Sequence, residues 1–387
     1  MKPISSAIAG MKRSGIREIM DLAATRPNVI HLEVGEPNFP TPPHILDAAA
    51  QAARDGYTKY TANRGLPEVR QAMATKIADR NGFSVDSIDQ IVVTTGAVNA
   101  IIQALMVVSD PGDPVLLPDP AWPNYLMMTT ILRSPVVRYP LMRDQGFEPD
   151  FDALEAICAS TPSAKAILMN TPGNPTGAVM SRSVVERMVE LAARHDLYVI
   201  SDECYDEIVF DGEHVSPAAI DTDGRVISTF SVSKSYAMTG WRIGYAVASP
   251  EVAAMISKVQ EAVTSCATAV AQKAAQAALD GDQSCVAEMR DAYRQRRDRV
   301  VPILEAAGLL VSPPQGAFYV IADTSGTGMN GYDLARRLIL EHDVAVAPGE
   351  TFGPGGVGTV RLSLATAMDD LVEGVGRLTA AVGSWSA

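Results

Sequence analysis

Short apolar segments alternate with helical patterns through the middle of the chain. The helical patterns cover residues 96–106, 183–195 and 250–263, where apolar positions recur every three or four residues. Seven apolar segments have the length of buried strands, at residues 91–95, 115–117, 136–138, 166–169, 198–200, 226–230 and 245–248. Strands that alternate with helices predict an α/β fold in which a mostly parallel seven-stranded sheet lies between helices.

The two ends of the chain have a different pattern. Residues 14–24 have helical spacing and residues 30–34 alternate like a strand, whereas the proline-rich segment 35–43 predicts an extended crossing between lobes. The C-terminal pattern predicts helices at 285–305 and 332–342, strands at 316–322, 344–347 and 358–363, and a closing helix to residue 382. We therefore expect an N-terminal arm with part of a small domain (1–44), a large domain (45–280) and a small α+β domain (281–387).

Composition and charge narrow the classes of function. The 387 residues carry a formal net charge of -13, which argues against nucleic acid or an anionic membrane as a partner. No apolar run approaches the roughly 20 residues of a membrane span. The four cysteines are scattered, as in a reduced, cytoplasmic protein, and the five histidines lack the spacing of a metal site. We expect a cytoplasmic protein without a bound metal.

Residues with useful chemistry follow the predicted strands. Parallel sheets bind ligands at the carboxyl ends of their strands. That edge should collect Gly96, Trp122, Asn174, Asp202, Tyr205 and Lys234. Gly96 and Ala97 also begin a predicted helix, where small residues leave backbone N–H groups free for an anion.

Lys234 is the most informative of these residues. It lies in Ser231-Val-Ser-Lys234, directly after a predicted buried strand, and Arg242 follows eight positions later. Desolvation favours a neutral amine, and a neutral amine is the form that attacks a carbonyl group to make a Schiff base. The hydroxyls of Ser231 and Ser233, with the forked guanidinium of Arg242, are suited to a phosphate. The alternative is a solvated lysine beside an arginine that forms an ordinary salt bridge.

A glycine motif near the C-terminus suggests a different ligand but lacks the right context. Residues 326–331 match G-x-G-x-x-G, a pattern of dinucleotide sites. The preceding strand ends at Ala322, and no convincing β-α-β unit with an acidic residue about twenty positions on follows. We interpret the motif as a surface turn.

These residues together resemble the class I/II aminotransferases, the fold-type I enzymes that use pyridoxal 5′-phosphate. The resemblance covers nearly the whole chain and is most specific in four motifs, which are Asn174-Pro-Thr-Gly177, Ser201-Asp-Glu-Cys-Tyr205, Ser231-x-Ser-Lys234 and Gly240-Trp-Arg-Ile-Gly244. It implies that the large domain binds the cofactor. It also implies a ping-pong reaction that moves an amino group from an L-amino acid to a 2-oxo acid.

The resemblance implies a role for each candidate residue. Lys234 would form the Schiff base and then carry the proton, Asp202 would pair with the ring nitrogen, and Tyr205 would donate to the phenolic oxygen of the ring. The other cofactor-binding residues would be Asn174 at the same oxygen, Trp122 on the ring face, and Gly96, Ala97, Val98, Ser231, Ser233 and Arg242 around the phosphate. Substrate would meet Gly35, Asn174 and Arg361, with Arg361 on its α-carboxylate.

Tyr60 matches the position from which the family reaches the phosphate of the neighbouring subunit. The resemblance therefore implies a homodimer with shared active sites.

The substrate side chain is less well defined. Residues 264–268, where some relatives place a pocket arginine, contain none, and Val98 is apolar. We expect a neutral or broad substrate range, although Lys12, Arg13 or Arg17 on the N-terminal arm could supply a cation.

Other functions keep some of these features. A fold-type I lyase or synthase, such as a carbon–sulfur lyase, would keep almost every motif and would differ in releasing pyruvate and ammonia. A non-catalytic regulator would need a DNA-binding segment, and we find none before residue 14. A nicotinamide dehydrogenase would rest on the glycine motif alone.

Overall fold

The computed structural model describes residues 2–11 and 13–386. Its helices are α1 (Ser6–Ala9), α2 (Gly15–Ala23), α3 (Pro43–Arg54), α4 (Pro67–Arg80), α5 (Ala97–Val108), α6 (Pro123–Leu132), α7 (Phe151–Ser160), α8 (Arg182–Arg194), α9 (Pro250–Val263), α10 (Ala269–Asp280), α11 (Ser284–Ala306), α12 (Gly331–His342) and α13 (Met368–Trp385). Its strands are β1 (Ile30–His31), β2 (Ile91–Thr94), β3 (Val115–Asp119), β4 (Val136–Met142), β5 (Glu148–Pro149), β6 (Ala166–Asn170), β7 (Tyr198–Asp202), β8 (Val226–Ser231), β9 (Gly244–Val247), β10 (Tyr319–Asp323), β11 (Val344–Ala345), β12 (Ala347–Pro348) and β13 (Thr359–Ser363).

The main sheet has the order β2-β9-β8-β7-β6-β3-β4-β5. Its central strands are parallel, while β9 is antiparallel to both neighbours and β5 is antiparallel to β4. All seven predicted strands are present, which confirms the α/β class. The sheet has eight strands instead of seven because β5 adds a two-residue edge strand. A pair of residues that includes a proline carries no alternation from which a strand could be predicted.

Helices cover both faces of this sheet and bury its apolar residues. One hydrophobic cluster joins α3, α4 and α10 to β2, β8 and β9, and a second joins α5, α6 and α9 to the opposite face. A third cluster packs α7 and α8 against β4, β6 and β7. Helices α6 and α7 were missing from the sequence-based prediction. Helix α6 is apolar on most of its surface, so it lacks the polar face that marks an amphipathic helix.

The small lobe is built from both ends of the chain. Strand β13 lies between β10 and β12 in an antiparallel sheet, and β1 of the N-terminal arm pairs with β11. Ile19, Ala23 and Leu32 belong to the same hydrophobic cluster as the buried residues of β10, β13, α12 and α13. We propose the domain division at residues 44 and 280 on this ground, because apolar packing joins the arm to the C-terminal part.

The glycine motif at residues 326–331 is a turn, as expected. It connects β10 to α12, and β10 pairs antiparallel with β13. A dinucleotide site requires a parallel β-α-β unit at this place, so the interpretation as a surface turn is confirmed.

We expect Leu362→Ala to lower the free energy of unfolding by about 2–5 kcal/mol, because truncating a fully buried leucine leaves a cavity. Leu362 lies in the middle strand of the small lobe and is 0% exposed. Leu340→Ala is the matched control, since Leu340 is 50% exposed on α12. Urea unfolding of both variants measures the difference, and equal losses would contradict the assigned core.

Candidate active site

The carboxyl ends of the parallel strands open into a cavity of about 720 Å³ between the two lobes. Most of the residues selected from the sequence line it, namely Gly35, Ala97, Val98, Trp122, Asn174, Asp202, Tyr205, Ser231, Ser233, Lys234, Arg242 and Arg361. Five different strand ends and the proline-rich crossing contribute to this lining. The fold therefore brings together residues that are separated by as many as 326 positions in the chain, from Gly35 to Arg361.

Lys234 is half-buried at the wall of the cavity. It follows β8 by three residues, and its Nζ donates a hydrogen bond to the carbonyl oxygen of Gly35 at 2.5 Å. Its Nζ lies 5.9 Å from the centre of the Phe318 ring. In the described part of the chain its amine forms no salt bridge, so it is held by a neutral acceptor and faces a partly apolar wall. Such a setting suits a nucleophilic amine.

Asp202 ends the central strand β7 and is buried beneath the cavity. The Tyr125 hydroxyl donates to its Oδ2 at 2.6 Å, and the Cys204 backbone N–H donates to its Oδ1 at 3.2 Å. Burial raises the pKa of Asp202 to about 6, and these two hydrogen bonds oppose the rise. Burial also raises the pKa of Tyr125 well above its ordinary value, so its hydroxyl stays a donor at physiological pH. The carboxylate is thus oriented by neutral donors and is left to pair with a cationic group in the cavity.

Arg361 carries a buried positive charge that the described chain does not neutralise. Its Nη1 donates to Asn174 Oδ1 at 2.9 Å and its Nη2 donates to the Glu33 carbonyl oxygen at 2.5 Å. Its Nε is buried without a partner, and burial lowers the pKa of the guanidinium. A buried guanidinium bound only to neutral oxygens is favourable for an incoming carboxylate, which can take two of its N–H groups.

Tyr319 connects Arg361 to Tyr205. The guanidinium carbon of Arg361 lies 4.2 Å from the centre of the Tyr319 ring, and the hydroxyls of Tyr319 and Tyr205 are 2.9 Å apart. A Cβ atom on Gly35 would come within 2.2 Å of the Tyr319 hydroxyl, so only glycine lets the crossing segment approach this closely. The Tyr319 ring therefore packs against the Arg361 guanidinium, and the Tyr319 hydroxyl holds the hydroxyl of Tyr205.

The candidate anion site is the N-terminus of α5. Gly96 caps this helix with φ of 91°, and a Cβ there would lie 2.6 Å from Arg242 Nη2. The Ser231 hydroxyl donates to the Ser233 hydroxyl at 2.8 Å beside the same corner of the cavity. The first N–H groups of a helix lack intrahelical acceptors, and an adjacent arginine adds charge. This corner has the donors that a phosphate group requires.

Two selected residues lie outside the cavity lining, namely Gly96, which is next to the lining residue Ala97, and Tyr60. Tyr60 is 90% exposed. Its expected contact with a neighbouring subunit therefore stays a prediction. Lys12 lies outside the described residues, but Arg13 and Arg17 are both at the mouth of the cavity.

Two residues of the site were missed from the sequence. Tyr125 lies in helix α6, which the sequence pattern did not predict, so no periodic signal pointed to it. Tyr319 lies in a strand that the pattern predicted, but the direction of its side chain depends on the register of β10 with β13.

The described ranges 2–11 and 13–386 contain neither a candidate metal site nor a candidate membrane-spanning helix. No group of three or more His, Cys, Asp or Glu side chains there is arranged to hold a metal ion. No helix in these ranges combines the length and the apolar character that crossing a membrane requires.

Comparison with known proteins identifies the family. The model of the family described as aminotransferase class I and II matches residues 27–378. A probable aspartate aminotransferase of Methanocaldococcus jannaschii is 38% identical and covers 96% of this chain and 98% of its own. An aromatic-amino-acid aminotransferase of Thermococcus litoralis is 35% identical, with 97% of each chain covered. The solved structure of a Thermus thermophilus aspartate aminotransferase with maleate has a TM-score of 0.92 at 37% identity and covers 98% and 100% of the two chains.

The fold and these comparisons define an amino-group transferase. The chain belongs to the class I and II aminotransferases and is dependent on pyridoxal phosphate. The cavity fits that cofactor, because it offers an amine on Lys234, a buried carboxylate on Asp202 and an anion site at α5. The relatives and the solved structure named above are aminotransferases, and nothing in these comparisons favours the lyase alternative.

We expect Tyr125→Phe to move the pH dependence of cofactor binding. In the role that the resemblance implies, Asp202 must be ionised to pair with a protonated ring nitrogen, so affinity should be full above its ligand-free pKa, about 6, and fall as pH drops through it. Removing the Tyr125 donor raises that pKa and shifts the fall to higher pH. The dissociation constant of pyridoxal phosphate between about pH 5 and 8 measures the shift.

Tyr139→Phe is the control for this experiment. Tyr139 is also fully buried, but its hydroxyl donates to the Leu168 carbonyl oxygen at 2.8 Å instead of to a carboxylate. Equal pH profiles in the two variants would contradict the role of Tyr125.

Proposed function

We propose that Lys234, Asp202 and Arg361 are the reactive centre of this aminotransferase. One observation carries the proposal. The Lys234 amine and the Arg361 guanidinium, which form no salt bridge in the described part of the chain, open into one cavity with the buried carboxylate of Asp202. Bound pyridoxal phosphate supplies a ring that accepts negative charge from the substrate Cα.

The protein's own groups hold the cofactor and move the proton. Lys234 would hold the cofactor through its Nζ, and once the substrate amine has displaced this nitrogen, the free amine would remove and return the proton at the substrate Cα. Asp202 would accept a hydrogen bond from the ring nitrogen, and Tyr205 and Asn174 would donate to the ring oxygen. Trp122 would cover one face of the ring.

The remaining contacts place the phosphate and the substrate. The turn Gly96-Ala97-Val98 binds the phosphate together with Ser231, Ser233 and Arg242. Arg361 binds the α-carboxylate beside Asn174 and Gly35. This clamp orients the substrate Cα toward Lys234, which is the positioning that proton transfer requires.

The cavity favours neutral side chains. Val98, Ile16, Met20, Trp122 and Met127 line it and give an apolar surface. The two cations at its mouth, Arg13 and Arg17, are exposed, and Arg13 already pairs with Asp21 at 2.7 Å. Solvent screens such exposed charges. Of the three named relatives, two are called aspartate aminotransferases, one of them solved with maleate, and one is called an aromatic-amino-acid aminotransferase. We place alanine, aromatic and aliphatic donors ahead of aspartate.

The active form is a homodimer in which Tyr60 completes the phosphate site of the partner. The support is an aromatic side chain that is 90% exposed and has the family's position for this contact. The cytoplasm is the proposed location, supported by four free cysteines.

Lys234→Ala should abolish the visible absorption band of the lysine-bound cofactor. It should also reduce transamination by several orders of magnitude, because no other amine lines the described cavity. Lys258→Ala is the control, since Lys258 is exposed on α9. Absorption spectra before and after addition of alanine give the readout. If this absorption band persisted in Lys234→Ala, the proposed role of Lys234 in binding the cofactor would be wrong.

Neutral amino acids should be better donors than aspartate. A panel of donors with 2-oxoglutarate, compared by kcat/KM, tests this order. Arg17→Ala should leave kcat/KM for neutral donors within about twofold, because an exposed charge contributes little. Aspartate far ahead of alanine, phenylalanine and leucine, with that advantage lost in Arg17→Ala, would instead assign a dicarboxylate subsite to α2.

A further inference from the structure

The last turn of α4 contacts both loops that carry the reactive groups. One loop follows β7 and runs from Asp202 through Tyr205 to Glu207. The other follows β8 and runs from Ser231 through Lys234 to Tyr236. Helix α4 is not part of the cavity lining, yet Lys76, Arg80 and Asn81 reach these two loops from behind.

Arg80 bridges the two loops directly. Its Nη1 lies 3.1 Å from Glu207 Oε1 in the first loop and 2.9 Å from the Tyr236 hydroxyl in the second. The same nitrogen lies 2.8 Å from Gln283 Oε1, which also accepts a hydrogen bond from the Tyr236 hydroxyl at 2.7 Å. Its Nη2 donates to the Leu279 carbonyl oxygen at 3.3 Å. A guanidinium holds its N–H groups in one fixed plane, whereas a lysine ammonium carries its donors on a flexible, rotatable stem.

Lys76 holds the first loop one helical turn earlier. Its Nζ donates to Asp206 Oδ2 and also to Asn81 Oδ1 at 2.8 Å, while Asn81 Nδ2 donates to Asp206 Oδ2 at 3.0 Å. All three side chains are buried. Burial acts to raise the pKa of Asp206, but Lys76 and the Asn81 hydrogen bond hold that pKa below its ordinary value. Asp206 is therefore a charged anchor directly beside Tyr205.

Lys76 also contacts the strand that leads to Lys234. Its Nζ lies 4.7 Å from the centre of the Phe230 ring, and Phe230 precedes Ser231 at the end of β8. Lys76 thus contacts the chain before the reactive lysine and Arg80 contacts the chain after it, and both contact the loop that carries Tyr205.

We propose that Arg80 and Lys76 are positioning residues, which fix the Tyr205 loop relative to the Lys234 loop. The inference rests on the roles proposed above for Lys234 and Tyr205. A hydrogen bond from Tyr205 to the ring oxygen stabilises the unprotonated form of the lysine-bound cofactor. Loosening the two loops weakens that bond, and the pH midpoint of the visible absorption change then rises.

Arg80→Lys is the main test, because it keeps the positive charge and removes the planar guanidinium group. We expect the pH midpoint of the cofactor absorption to rise by about half a unit or more, and kcat to fall about tenfold with little change in KM. Arg70→Lys is the matched control. Arg70 lies on the same helix and is more buried, but it binds only the Ile88 carbonyl oxygen and Asp89 Oδ1. Arg70→Lys should leave both values unchanged.

A second variant separates positioning from stability. Lys76→Met alone leaves Asp206 buried and unpaired, which destabilises the protein. The double change Lys76→Met with Asp206→Leu removes both charges and should recover part of the melting temperature that Lys76→Met loses in the cofactor-free protein, while the buried Asn81 amide stays without its two partners. The absorption midpoint should nevertheless stay raised, since apolar packing does not fix direction as hydrogen bonds do.

The outcomes distinguish the two proposals. A wild-type protein without a pH-dependent band would overturn the proposed function and, with it, this inference. A normal wild-type band with an unshifted midpoint in Arg80→Lys would overturn the positioning role alone. A double variant that recovers both the melting temperature and the midpoint would also overturn it, because the pair would then serve stability only.

Discussion

The site depends on the direction in which parallel strands leave a sheet. Strands β3, β6, β7 and β8 run the same way, so the segments that follow them begin at one edge. Trp122, Asn174, Asp202 and Lys234 come from four of these segments and need no further arrangement to become neighbours. The antiparallel strand β9 contributes differently, because the segment that carries Arg242 enters this strand and thereby returns to the same edge. Side chains at the ends of separate strands thus line one cavity.

Two buried charges of this cavity, on Arg361 and Asp202, form no salt bridge in the described part of the protein. Burying Arg361 against neutral oxygens, and Asp202 against a phenol and an amide, is unfavourable for folding, because each charge loses water without gaining an opposite charge. In the roles proposed above, the cofactor and the substrate carry the complementary charges. The same separation explains why neutral acceptors surround Arg361 and neutral donors surround Asp202. A carboxylate from the protein beside Arg361 would stabilise the empty state and compete with the substrate.

The sequence predicted most of the fold and most of the cavity, for a physical reason. Buried strands are continuous apolar segments, and polar residues immediately after them must lie at the sheet edge, so Asp202 and Lys234 were accessible from pattern alone. Tyr125 was not, because it lies in a nearly all-apolar helix that has no polar face to define it. Tyr319 depends on strand register, and Arg80 depends on a contact between residues 156 positions apart in the chain. Such long-range contacts leave no trace in local periodicity.

Substitutions in helix α2 can change the wall of the cavity without changing the proposed reactive groups. This helix packs on α12, β11 and β12 of the small lobe, and it turns Ile16, Arg17 and Met20 toward the cavity. In the described part of the chain it makes no hydrogen bond to Lys234, Asp202 or Arg361. A library of variants confined to these three positions would therefore explore new amino donors while the proton-transfer groups stay as they are. Evolution within a family of shared chemistry has the same route open to it, through a segment that borders the reaction without taking part in it.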